Sequence, residues 1–190
     1  MRLSTPLRKA ALAVHLAVSV GWIGAVAAYT ALDVAAATSA DGPTLRAAYL
    51  GMGLIAGSVI VPLALAALVS GVVVSLGTKW GLLRHWWVLI SLVLTVFATV
   101  VLVVETGTIA SYAAVAADAA ASEAELKALG STLVHSVGGT LVLLVVLVLN
   151  VYKPPGLTPY GWRKRHDERR TLQRGRLETS AMAALEETHR

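Results

Sequence analysis

Four long windows of this chain carry no Asp, Glu, Lys or Arg: Ala10–Leu32, Tyr49–Leu76, Trp86–Val104 and Leu129–Tyr152. Each supplies roughly the 20 residues that an α-helix needs to cross about 30 Å of hydrocarbon. A segment in lipid must satisfy its own backbone N–H and C=O groups, and none of the four alternates like a barrel strand. The chain is therefore expected to be all-α, a four-transmembrane-helix bundle. Its helices should cover about 10–32, 49–76, 86–107 and 125–152, within a membrane domain of residues 1–153. Only 14% of the residues are charged, against about 25% in a soluble domain.

Basic residues follow the cytoplasmic side of a membrane. With a cytoplasmic N-terminus, the inner segments hold Arg2, Arg8, Lys9, Lys79, Arg84, Lys153 and the cations from Arg163 to Arg190, which is 14 of the 16. The outer loops keep Arg46 and Lys127 beside Asp33, Asp41, Asp118, Glu123 and Glu125. Both termini are expected in the cytoplasm and the protein in the inner (cytoplasmic) membrane, with 154–190 as a basic tail. The cations ahead of the first window, and its AVAA, imitate a secretory signal. The apolar run exceeds a signal's apolar core, so it is expected to stay as helix one.

There are no cysteines, which removes disulfides and thiolate sites, and the three methionines are scattered. The pI of about 9.8 reflects cations that flank the spans, where the bilayer and its anionic headgroups are the natural partners. No nucleic-acid motif accompanies them.

Local signals refine the outline. Pro43 suits the first turn of helix two, Ser122 and Glu125 match a capping box, and Pro62 predicts a distortion near Ser58. Pro154-Pro155-Gly156 ends helix four. Beyond Pro159 a solvated tail is expected, with an exposed helix over Thr171–Glu187 as the alternative. Gly21, Gly24, Gly53-x-x-x-Gly57 and Gly138-Gly139 admit close helix approach. They would equally make room for a ring.

Steps of four and three along helix one place His15, Ser19, Trp22, Val26, Tyr29 and Asp33 on a single face. Helix three has a looser stripe of Arg84, Ser91, Thr95, Thr99 and Glu105; in helix four Ser131, His135 and Gly138 align. Ionisable groups in a span face the interior, so His15, Glu105 and His135 are expected inward. His15 lies about 7 Å inside the cytoplasmic boundary, whereas His135 stands about 27 Å of helix from Lys153. Two clusters follow: an inner one of His15, His85 and Arg84, and an outer one of Asp33, Glu105 and His135. Two histidines on one haem iron need equal depth. His15 and His85 meet that condition; His15 and His135 do not.

The segments HLAVSVGWIGAVAAYTALDVAA, LGTKWGLLRHWWVLISLVLT and NVYKPPGLTPYGWRK resemble an actinobacterial family of four-helix integral membrane proteins of unknown function, over roughly residues 10–165. That resemblance implies fold and location. A more distant likeness, the histidine ahead of a tryptophan-glycine pair, is to the copper-resistance D family and the four-helix membrane protoporphyrinogen oxidase. It implies a haem-linked role, although Ser91 stands in the third helix where those patterns favour a basic residue.

Three functions stay open. One is haem b binding or membrane redox chemistry, with His15 and His85 as iron ligands and Trp22 and Tyr29 beside the ring. Another is a non-enzymatic accessory or structural subunit, joined to a second copy or a membrane partner. The third is a small proton-coupled transporter using Glu105 and His135.

Overall fold

The structure, a computed structural model, describes residues 4–78 and 80–188. Arg2, Lys79 and Arg190, which contributed to the charge asymmetry, lie outside the described residues. Four helical stretches are long and apolar enough to cross a membrane: Thr5–Thr38, Gly42–Gly77, Trp86–Ala117 and Leu133–Tyr152.

The first is α1 (Thr5–Thr38), with Pro6 in its opening turn, where a missing N–H is harmless. The second is α2 (Gly42–Ile55) running through a π turn (Ala56–Ile60) into α3 (Val61–Gly77). Pro62 has no N–H to offer the preceding turn, and the helix widens there. The distortion expected at Ser58 therefore takes the form of a π turn. The third span is α4 (Trp86–Ala117), and the last is α6 (Leu133–Tyr152), preceded by the short α5 (Glu123–Ala128).

Several boundaries differ from the sequence reading: the first span covers Thr5–Thr38 rather than 10–32, and the second starts at Gly42 rather than at 49. Ser122 and Glu125 do form a reciprocal capping box, but on α5. The chain then breaks at Leu129–Thr132, so the last span starts at Leu133 rather than near 125. The third helix continues past 107 to Ala117. At about 1.5 Å per residue, α6 just covers the hydrocarbon, while the other spans exceed it by several turns.

Those extra turns build a small cap at the end of the bundle that carries α5, called here the loop end. Leu45, Tyr49, Ala116 and Leu126 are buried together in it. Arg46 clamps it by donating to the carbonyls of Ala116, Asp118 and Ala121 at 2.5, 2.5 and 2.8 Å. Asp41 caps α2; the hydroxyl and then the backbone N–H of Thr44 hold its carboxyl below the usual range. The N–H and hydroxyl of Ser122 lower Glu125 in the same way.

At the opposite, terminal end, α1 begins and α6 finishes. Lys153 takes a left-handed conformation (φ 46°) to end α6. The chain then returns to the α3–α4 turn: Thr158 donates its backbone N–H to the carbonyl of Arg84 (3.0 Å) and its hydroxyl to that of Leu83. Gly161 lies so close to the Arg84 carbonyl that any Cβ would collide with it. The tail is a helix, α7 (Pro159–Thr188), twelve residues longer at its start than the alternative considered above. Arg84 grips it through both oxygens of Glu168, at 3.3 and 3.1 Å.

Candidate functional site

Two cavities stand out among the described residues of the bundle, one toward each end. The larger, about 910 Å³, opens at the terminal end and is lined by His15, Ser19, Trp22, Trp80, Trp87 and Asn150, among others. Arg8, Lys9 and Lys153 also border it, and no Asp or Glu does among the described residues.

His15 is held from α3. Its Nδ1 lies 3.0 Å from the hydroxyl of Ser70. That hydroxyl has one proton, and it is donated to the carbonyl of Ala66 at 2.6 Å. Ser70 therefore accepts from His15, which fixes the proton on Nδ1 and leaves a lone pair on Nε2. Gly71 packs against the ring, with a position for Cβ only 3.1 Å from Cε1. Any larger residue there would push the imidazole away from α3.

The cavity is rich in donors. The indole N–H of Trp87 and the hydroxyl of Thr78, both from residues that line it, are buried without a hydrogen-bond partner among the described residues. An unpaired buried donor costs about 1–3 kcal/mol, so these groups favour an acceptor brought in from outside. Asn150 is partly engaged, donating to the Val146 carbonyl at 2.7 Å and to Ser91 at 3.3 Å.

His85 does not join His15. Its Nδ1 lies 2.7 Å from the carbonyl of Trp80, and its ring sits edge-on to Trp80 at 5.2 Å. It is absent from the cavity wall. Sequence spacing placed both histidines near one level, but the turn that carries His85 directs its ring into the tryptophan cluster.

The loop-end cavity is smaller, about 370 Å³, and is bounded by α1, α4 and α6. Trp22 and Leu143 line both cavities and form the wall between them. Tyr29 belongs here, not beside His15. Glu105 and His135 also border this cavity, with His135 Nε2 3.7 Å from Glu105 Oε1. His135 is about half exposed on the side of the bundle, so it stands at a rim rather than facing fully inward.

Asp33 bonds neither Glu105 nor His135 directly, but its partners Thr132 and Ser136 border the same cavity as that pair. It is fully buried and accepts from the hydroxyls of Ser131, Thr132 and Ser136, at 3.4, 2.7 and 2.9 Å. Tyr29 meets the Thr132 hydroxyl at 2.8 Å. Since Thr132 gives its proton to Asp33, Tyr29 is the donor in that pair. Spacing alone missed Thr132 and Ser136, because the break before Leu133 lets the chain wrap around Asp33. The hydroxyls of Thr95 and Thr99 bond carbonyls of their own helix, which explains their position in a span without a chemical role.

The glycines divide by function. A Cβ on Gly53 would lie 2.5 Å from that of Ala113, so α2 and α4 approach closely there. Gly138 and Gly139 meet nothing within 4 Å; they border the loop-end cavity and keep it open. No family model, curated protein or solved structure matches the chain.

Proposed function

We propose that this chain is a multi-pass protein of the inner (cytoplasmic) membrane, with both termini cytoplasmic, that binds an amphipathic anionic ligand in its terminal-end cavity. One observation carries the reading: an imidazole oriented by Ser70 lines a chamber bordered by Arg8, Lys9 and Lys153, with no Asp or Glu among its described lining residues. Apolar and aromatic walls suit the body of such a ligand, and the cations and the Trp87 N–H suit its acidic end.

Haem b is the ligand this reading selects. His15 would hold the iron, with Ser70 orienting the ring as outer partners of ligating histidines do. Trp22, Trp80 and Trp87 would border the macrocycle, and Arg8, Lys9 and Lys153 would pair with its carboxylates. Bound haem would supply one-electron chemistry. His85 packs on Trp80 outside the cavity lining and does not serve as second ligand.

The test is a visible spectrum of protein purified in mild detergent after expression with ample haem. A Soret band is expected, lost in His15→Ala and kept in His85→Ala. A colourless preparation, or a band indifferent to His15, would reject the haem assignment. A second reading, an accessory subunit, draws on α7, where Leu172 and Leu177 stand exposed among the basic residues. A membrane partner, a second copy or anionic headgroups could cover that helix.

A further inference from the structure

The loop-end cavity has a shape and chemistry of its own. Its body is apolar, made by Val26, Phe97, Val101, Val142 and the bare backbone of Gly138 and Gly139. Phe97 and Val134 are both strongly exposed on the outer face of the bundle while lining it, so the cavity opens sideways, at the level of the spans. Its volume falls within the usual range of small-molecule sites, about 300–1,000 Å³.

Besides the indole of Trp22, five polar side chains border it, and three are already committed. Tyr29 donates to Thr132, while Thr132 and Ser136 donate to Asp33. Glu105 and His135 remain. At 3.7 Å they are too far apart for a hydrogen bond and close enough for one oxygen to serve both. A hydroxyl does so by accepting from the imidazole N–H and donating to the carboxylate.

We infer that this cavity is a lateral site for a bilayer amphiphile with a hydroxyl head and an apolar tail, seated between Glu105 and His135. The molecule enters from the lipid between α4 and α6. The tail lies along the glycine pair toward Trp22 and Leu143. This site is separate from the His15 chamber and stands whether or not that chamber holds haem.

Photolabelling tests it directly. The probe is a diazirine-bearing hexadecanol, applied to the full chain in vesicles of zwitterionic lipid, with labelled peptides mapped by mass spectrometry. Expected are saturable labels on the α4 and α6 residues that line the cavity, displaced by unlabelled hexadecanol and weaker for the diazirine hexadecane that lacks the hydroxyl. Gly139→Leu fills the cavity and should abolish these labels. Gly107→Leu, on an exposed stretch of α4 away from the cavity, controls for a leucine added to a span and should retain them. His135→Phe should erase the preference for the hydroxyl probe. Labelling that is non-saturable, or that persists unchanged in a folded Gly139→Leu protein, would overturn the site. Equal labelling by both probes in the wild type would overturn the hydroxyl head.

Discussion

Asp33→Ala lowers the stability of the bundle by roughly 3 kcal/mol, the upper end of what orphaning a buried hydrogen-bonded polar group costs. Three hydroxyls from the start of α6, distant in sequence, converge on this carboxyl, which is fully buried. Alanine leaves Thr132 without its acceptor, turns Ser136 back to the Leu133 carbonyl of its own helix, and releases the segment just before α6. Asp33→Asn keeps an acceptor oxygen and should cost clearly less. Unfolding in mixed micelles, titrated with a denaturing detergent, measures both. An Asp33→Ala protein that unfolds with the wild type would show that the carboxyl is not what fastens α1 to α6.

Trp22→Ala is the other severe change. Trp22 is 4% exposed and separates the two cavities. Truncating a buried tryptophan costs about 3–5 kcal/mol, through lost contacts and the void left behind. Here the void joins two existing cavities, which leaves little nearby to collapse into it. The same unfolding titration should show a loss of that size. A loss within about 1 kcal/mol, as for a well-tolerated apolar exchange, would mean that the two cavities are not held apart by this ring.

What the sequence made legible follows from the range of the interactions. The spans were readable because lipid leaves a helix no alternative, and Pro62, Asp41-Gly42-Pro43 and the Ser122/Glu125 box act within one or two turns. The single face of α1 was readable as well, since helical spacing sets it. Which wall each residue of that face reaches was not. His15 ended in one cavity and Tyr29 in the other because Trp22 lies between them. His85 and Asp33 show the same limit. Their partners come from a turn carbonyl and from a broken helix start, and neither has a periodic signature. The open glycines of α6 and the close one of α2 look alike in sequence; the neighbouring helix decides between them.

The proposed function requires that the cation-ringed cavity open to the cytoplasm while the α5 cap lies outside. The chain has no cysteine, so single cysteines can be introduced without background. Ala119 in the loop before α5 and Thr179 on α7 are both exposed. In intact cells a membrane-impermeant maleimide should label Ala119→Cys, and should reach Thr179→Cys only after the membrane is opened. Labelling of Thr179→Cys in intact cells, with Ala119→Cys protected, would contradict it.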